Sequence, residues 1–228
     1  MKHAGKARSS AIKLLIITLI ILLALIGLAT MARFLSFLVT AMIGTFVLFW
    51  VIFAGFTLYF FRDPTATPPG STEVIVSPAH GKVDAIDEIE EKDFMGGRCR
   101  RISVFLSVID VHVQKAPITG KVVYLKHSPG KFINAMKADS AAANENVYLG
   151  FESAEKSGEK IGVRLIAGLL ARRIIPWVAT GEMAKRGERI SLIQFGSRCD
   201  LYLPLETQIA VKLGQKVIGG ETIMATRK

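Results

Sequence analysis

Two adjacent residues near the C-terminal end, Gly196 and Ser197, form a step at which the peptide chain could be broken from within. Because glycine has no Cβ, its carbonyl carbon is open to attack by a neighbouring hydroxyl group. A serine hydroxyl held against that carbonyl can carry out an internal acyl shift, which turns the peptide bond into an ester and permits scission. Most Gly-Ser pairs lie in ordinary turns, but this pair interrupts a strand-like apolar stretch, residues 190–204.

Four histidines are present, and their sequence surroundings separate them. His3 lies in a basic N-terminal tail, and His127 precedes a Pro-Gly turn, where we expect an exposed side chain. His112 lies in an apolar run that predicts a strand, on the face opposite to its two valine neighbours. His80 lies in the sequence Pro-Ala-His-Gly, and imidazole can act as a base near neutral pH. His112 and His80 are therefore the candidates for proton transfer.

Two long uncharged stretches at the N-terminal end predict a membrane anchor. Residues 14–32 and 34–61 contain no charge, and each stretch can cross a hydrocarbon core of about 30 Å as a helix. Arg33 separates them, and an arginine at the bilayer centre costs about 2.5–3.5 kcal/mol. We therefore expect a turn at Arg33 and a transmembrane hairpin of two hydrophobic helices within residues 1–61. One span preceded by an interfacial helix is the alternative.

The distribution of charge predicts an orientation and a class of partner. Basic residues before the first uncharged stretch indicate a cytoplasmic N-terminus, and a hairpin would return the chain to that side. We therefore expect a protein of the cell (inner) membrane whose main domain faces the cytoplasm. The formal net charge of +10 favours contact with anionic lipid, and no nucleic-acid-binding motif is present. Cys99 and Cys199 lack metal-ligand spacing, so we expect reduced thiols and no metal site.

Residues 62–228 predict a mostly β catalytic domain with a minor helical part. Short runs rich in valine and isoleucine alternate with glycine and proline, and one Ala-rich segment, Phe132–Asn144, predicts a helix. The spacing of Val178-Ala-Thr-Gly181 to Gly187 recurs from Val211-Lys-Leu-Gly214 to Gly220, which indicates a barrel or a hybrid sandwich. The predicted strands are 74–76, 82–86, 101–106, 121–125, 148–151, 162–166, 173–178, 189–194, 199–203, 209–211 and 222–225.

Several motifs in the right order resemble the short form of the phosphatidylserine decarboxylase family. The strongest is Phe195-Gly-Ser-Arg-Cys-Asp-Leu-Tyr-Leu-Pro204, preceded by Ala167-Gly-Leu-Leu-Ala-Arg-Arg-Ile-Ile-Pro176. Asp110-Val-His-Val and Tyr59-Phe-Phe-Arg-Asp-Pro64 also match. Together these motifs extend over nearly all of the predicted β domain.

The resemblance implies a proenzyme that makes its own cofactor. Ser197 would attack Gly196, and the chain would separate into a β subunit (1–196) and an α subunit (197–228) that begins with a covalent pyruvoyl group. That group would form a Schiff base with phosphatidylserine, and loss of carbon dioxide would yield phosphatidylethanolamine. His112 resembles the histidine that supplies or withdraws protons in the decarboxylation. Arg62, Lys82 and Arg198 are candidate ligands for the lipid phosphate.

Position 80 departs from the family pattern. The family has Pro-Ala-Asp-Gly, in which the aspartate takes part in self-cleavage, whereas this chain has His80. His80 could deprotonate Ser197 directly, it could stall processing, or it could be a surface residue with Asp84 or Asp110 assisting instead. Lys115 is a second departure, because longer family members have another histidine there.

Two further functions remain open at this stage. One is decarboxylation of archaetidylserine or a related phospholipid, since the motifs do not report on the lipid chains. The other is an unprocessed, non-catalytic membrane homologue, if His80 blocks cleavage. The partners we expect are a phospholipid in the membrane and the two subunits of one precursor, and whether two chains form a homodimer is left open.

Overall fold

The computed structural model describes residues 6–131, 143–168, 173–194 and 197–227. The chain divides into two compact units, Met1–Thr57 and Leu58–Lys228. Helix α1 (Lys6–Phe60) supplies the first unit and contributes its last three residues to the second. Strands make up most of the second unit, as the sequence predicted.

Helix α1 continues through Arg33 without a turn, so the structure has one apolar helix where we expected a hairpin of two. Arginine is a good helix former, and no proline or other breaker is present near Arg33. We expected a turn because an arginine at the centre of a bilayer is costly. That cost does not affect the helix preference of the backbone itself. By length and composition, α1 can cross a membrane.

The second unit is built from short and medium strands joined by tight turns. In the described residues the strands are β1 (Val74–Val76), β2 (Gly81–Glu91), β3 (Gly97–Leu106), β4 (Val113–Lys115), β5 (Gly120–Ser128), β6 (Asn146–Ser153), β7 (Lys160–Ala167), β8 (Arg173–Pro176), β9 (Met183–Ala184), β10 (Arg189–Gln194), β11 (Ser197–Leu203), β12 (Gln208–Ile209), β13 (Lys216–Val217) and β14 (Ile223–Thr226).

Three antiparallel sheets enclose the core. A half-barrel of eight strands has the order β13-β2-β3-β11-β7-β6-β5-β9, and two three-stranded sheets have the orders β1-β14-β12 and β4-β10-β8. The main cluster of buried apolar side chains draws members from all three sheets, including Ile75, Leu165 and Ile193. A second, smaller cluster, which includes Tyr148 and Tyr202, lies on the other face of the half-barrel.

Strand β11 is the most buried strand of the half-barrel. All seven of its residues are buried, and it pairs with β3 on one side and β7 on the other. Its alternate side chains face the two apolar clusters: Cys199 and Leu201 belong to the main cluster, and Tyr202 belongs to the smaller one. A strand with both edges paired and both faces covered holds its first residue, Ser197, firmly in place.

Most of the predicted strands are confirmed, with shifts of a few residues at their ends. The short strands β4, β9 and β13 were not predicted, because two or three residues carry little periodic signal. The repeat was predicted correctly, since β9 and β13 occupy the same place in the two copies, each between a pair of glycine turns. The predicted helix Phe132–Asn144 lies outside the described residues apart from its last two.

Candidate active site

Ser197 is the first residue of β11 and is fully buried. It lies opposite Leu106 of β3 and Ala167 of β7, so it is held at the end of the sheet where β3 and β7 both stop. Its side chain shares a face with Cys199, because alternate residues of a strand point the same way. Ser197 therefore faces the main core.

The Ser197 hydroxyl has no hydrogen-bond partner in the described part of the chain. A buried polar group without a partner costs about 1–3 kcal/mol, so such groups are uncommon in folded proteins and mark sites of chemistry or strain. Gly196, the other member of the predicted cleavage site, lies outside the described residues.

His112 is fully buried and directly precedes β4, where the sequence had placed it within a strand. Its Nδ1 lies 2.9 Å from the carbonyl oxygen of Asp110, and a carbonyl can only accept a hydrogen bond. Nδ1 therefore carries the proton, and in the neutral ring Nε2 has the lone pair. The ring of Phe60 packs on it, with ring centroids 4.5 Å apart.

Two buried polar side chains hold the backbone of His112, and sequence analysis missed both. The amide nitrogen Nε2 of Gln114 donates to the carbonyl of His112 at 2.7 Å, and the hydroxyl of Ser191 donates to Gln114 Oε1 at 2.7 Å. Both residues are fully buried and lie opposite one another on β4 and β10. The sequence near Gln114 carries no signal of this role, because Ser191 lies 77 residues away and meets Gln114 only through the pairing of β4 with β10.

His80 has the opposite arrangement of protons. The backbone N–H of Gly219 donates to His80 Nδ1 at 2.8 Å, so the neutral ring carries its proton on Nε2. Nε2 is buried and has no partner in the described part of the chain. A Cβ at position 219 would lie 3.1–3.3 Å from backbone atoms of Ala79 and His80, which is tighter than an ordinary contact. At Gly81 a Cβ would collide with the carbonyl oxygen of Phe105.

Burial is the main cause of a lowered pKa for both histidines. For His80 the nearby Asp110 opposes this shift, while Lys115 and Arg62 add to it. For His112 the hydrogen bond to the Asp110 backbone and the Asp110 carboxylate oppose it, and Arg62 adds to it. The two rings are within electrostatic reach of each other, and both are neutral near pH 7.

Arg198 lies on the face of β11 opposite to Ser197. Its guanidinium donates to Asp200 Oδ1 at 2.7 Å and to the Ser103 hydroxyl at 2.5 Å. Asp84, at a bulge in β2, is 3.6 Å from it. The buried guanidinium of Arg198 is thus engaged by side chains of the protein itself. Its predicted role as a phosphate ligand would require these contacts to be exchanged. Lys82 lies on the same face and is exposed.

Arg62 and Lys115 are the basic residues beside the histidines. The guanidinium of Arg62 donates to the carbonyls of Tyr59 and Ile109, both at 2.7 Å. The ammonium of Lys115 is buried and donates to Asp63 Oδ1 at 3.1 Å, and Asp63 also pairs with Arg189. His127, in contrast, lies on the surface beside Glu145, as expected.

Comparison with known proteins shows the family to which the chain belongs. Residues 53–225 match the family model described as phosphatidylserine decarboxylase. The chain belongs to this family of carboxy-lyases. It is 42% identical over 199 residues to a phosphatidylserine decarboxylase proenzyme of Desulfotalea psychrophila, an alignment that covers 87% of this chain and 91% of the relative. A proenzyme of the same name from Symbiobacterium thermophilum is 39% identical over 201 residues, which cover 88% of this chain and 89% of the relative.

The lowered pKa values of His80 and His112 predict that the fold loses stability on acidification. An unfolded chain takes up protons on histidine below about pH 6.5, whereas the folded chain resists, so stability is complete above that pH and falls below it. We expect the midpoint temperature of unfolding in detergent to decrease as the pH is lowered from 7 to 5. The decrease should be smaller in His112→Gln. His127→Gln, the same change on the surface, is the matched control. Parallel profiles for all three proteins would contradict this account.

Proposed function

We propose that this chain is a self-processing decarboxylase that converts phosphatidylserine into phosphatidylethanolamine and carbon dioxide. The observation that carries the proposal is the position of Ser197, whose buried hydroxyl lacks a partner in the described residues, at the start of the central strand. The proposal is supported by family membership and by relatives named as proenzymes, which implies that they are processed.

Self-processing would begin with attack of the Ser197 hydroxyl on the carbonyl carbon of Gly196. A C–O bond forms, the C–N bond breaks, and the peptide becomes an ester with a free amine at position 197. Loss of the Ser197 Cα proton then expels the Gly196 carboxylate, which leaves dehydroalanine. Addition of water and loss of ammonia convert this residue into a pyruvoyl group at the start of the α subunit, 197–228.

The residues around position 197 fit a pyruvoyl group. Conversion would remove a buried hydroxyl that has no partner in the described chain, and backbone pairing with Leu106 and Ala167 would hold the new terminus in place. Once formed, the group supplies a ketone that accepts the amino group of the substrate and withdraws electrons as carbon dioxide leaves.

His112 is the residue that we assign to proton transfer in the decarboxylation. With its proton on Nδ1 fixed by the Asp110 carbonyl, Nε2 is the nitrogen that can take up a proton and pass it to the carbon that has lost its carboxylate. Gln114 and Ser191 would hold His112 by its backbone.

His80 is better suited to donate a hydrogen bond than to deprotonate Ser197. Its Nδ1 is occupied by the Gly219 N–H, and its Nε2–H is buried without a partner in the described residues. A buried donor of this kind can stabilise the negative oxygen that forms when Ser197 attacks Gly196. We therefore infer a different role at position 80 from the general base that a family aspartate could provide.

Arg62 is the strongest candidate for the lipid phosphate. It is a permanent cation close enough to influence both histidines, and it follows directly on the end of α1. Lys82 stays a second candidate, on the opposite face from Ser197. Neither position distinguishes diacyl lipid from the ether lipid archaetidylserine, which therefore stands as an alternative substrate.

Activity of the full-length chain in mixed micelles tests the proposed reaction. We expect carbon dioxide and phosphatidylethanolamine from phosphatidylserine, none of either from Ser197→Ala, and a loss of about 10²–10⁴-fold in kcat for His112→Ala, because general acid–base catalysis contributes about that factor. Arg62→Met should raise KM more than it lowers kcat. His127→Ala, on the surface, is the matched control and should retain activity.

Three outcomes would change the assignment. Turnover of archaetidylserine with none of phosphatidylserine would identify the ether-lipid enzyme. A cleaved protein that releases carbon dioxide from neither lipid would contradict the decarboxylase proposal, and an uncleaved one would favour the non-catalytic homologue.

We also propose that α1 anchors the protein in the cell membrane with the β domain on the cytoplasmic side. A helix of 55 residues is about 80 Å long, far more than the hydrocarbon core of about 30 Å. One straight crossing would leave much of this apolar helix outside the bilayer. A bend near Arg33, induced by the membrane, would instead bury both halves.

Labelling of single cysteines in intact cells tests this topology, with cysteine introduced at Ser9, Arg33 and Ser71. Cys99 and Cys199 are buried and should not react with an impermeant maleimide. Two spans predict outside labelling at position 33 alone. A single crossing predicts that positions 9 and 71 lie on opposite sides, and labelling of position 71 from outside would overturn the cytoplasmic location.

A further inference from the structure

Three turns near the site carry exposed apolar side chains. Ile109 is 61% exposed, Leu213 is 69% exposed and Ile218 is 51% exposed, although large apolar residues are more often buried. We call these three residues the apolar tips. Each lies on a different turn of the second unit, so no single local motif accounts for all of them.

Each apolar tip is connected to a residue of the candidate site. Ile109 directly precedes Asp110, whose carbonyl accepts the hydrogen bond from His112. Ile218 directly precedes Gly219, whose N–H donates to His80. Leu213 shares a cleft with Lys82 and Phe105. Phe105 directly precedes Leu106, the residue of β3 that lies opposite Ser197. The tips therefore lie at the end of the half-barrel that holds Ser197.

The exposed charge around Leu213 is mainly positive, with Asp84 in the same cleft, whereas Asp110 follows Ile109 and Glu221 lies three residues after Ile218. Lys212 and Lys216 flank Leu213, and Lys216 lies opposite Lys82 across the β13–β2 pair. All three lysines are exposed, and residues 207–220 contain no aspartate or glutamate. Apolar side chains surrounded by lysines match the interface of an anionic bilayer, where the apolar groups enter the acyl region and the lysines meet the phosphates.

The chain also leaves α1 beside one of these tips. The guanidinium of Arg62 donates to the carbonyls of Tyr59, in the last turn of α1, and of Ile109. Ile109 is thus held next to the residues through which the β domain continues from its anchor.

We propose that the apolar tips and the lysines at positions 82, 212 and 216 form a second membrane contact, through which the β domain docks on anionic lipid. Docking would orient the Ser197 end of the half-barrel toward the headgroups. The inference rests on the proposed function, because it assumes that the substrate is a membrane lipid. Its test measures contact with lipid and does not measure catalysis.

The test places an environment-sensitive NBD fluorophore on single cysteines in the full-length chain, reconstituted in nanodiscs. The background is Ser197→Ala, so that neither processing nor activity enters the result. Ile109→Cys, Leu213→Cys and Ile218→Cys report on the tips. Ser157→Cys is the matched control, in an exposed turn before β7 and about 25 Å from the end of β7 that faces Ser197. Burial raises the pKa of the Cys99 thiol to about 11 and also raises that of Cys199, so the native cysteines should stay unlabelled.

We expect blue-shifted emission and quenching by spin-labelled lipid at all three tips in discs that contain phosphatidylglycerol, with neither effect at position 157. Phosphatidylcholine discs should give much weaker effects. Replacing Lys82, Lys212 and Lys216 by glutamate should abolish the blue shift in the anionic discs. The same change at Lys92, Lys121 and Lys160, exposed lysines at the other end of the half-barrel, should not.

Water-like emission at the three tips in anionic discs would overturn the proposal. Equal insertion in phosphatidylcholine would overturn recognition of anionic lipid. An equal shift at position 157 would show that the contact is not confined to this end of the domain, which also contradicts it.

Discussion

The pairing of β11 on both edges is the constraint on which the rest of this structure depends. Backbone hydrogen bonds to β3 and β7 fix Ser197 at the end of the half-barrel, and the two apolar clusters cover both faces of the strand. Because the pairing continues through the residues after Ser197, a break before it would leave the ladder from Arg198 onward in place. Near the other end of the short segment, Arg227 is buried and bonded to Glu159 and Glu155. A subunit comprising 197–228 would therefore stay attached without a covalent link.

Two histidines that are within electrostatic reach of each other, His112 and the partly buried His80, have complementary protonation. The Asp110 carbonyl fixes the proton of His112 on Nδ1, and the Gly219 N–H leaves the proton of His80 on Nε2. One ring thus presents an acceptor and the other a donor, although both are histidines with a pKa lowered by burial. A carboxylate at position 80 could not donate in this way when ionised. The departure from the family motif therefore changes the chemistry available there, and does not simply remove it.

Local sequence was sufficient to predict the β domain and to select Ser197 and His112 as candidates, because alternating apolar runs and a specific motif are local signals. It was insufficient to reveal the buried contacts of Arg198, because one partner, Asp200, follows two residues later but the other, Ser103, comes from β3. Gln114 and Gly219 were missed for the same reason, since their partners lie on other elements. The helical hairpin was predicted from the energetics of a bilayer, whereas the continuous α1 follows from backbone preference alone.

The intact mass of the purified, detergent-solubilised chain tests the central claim most directly, with Ser197→Ala and His80→Asp measured beside it. The account predicts two fragments that separate between Gly196 and Ser197, the smaller of 32 residues with a ketone in place of its terminal amine, reactive with a hydroxylamine probe. Ser197→Ala should give one uncleaved mass. A single mass from the unmodified chain would contradict self-processing, and cleavage restored by His80→Asp would locate the cause at position 80.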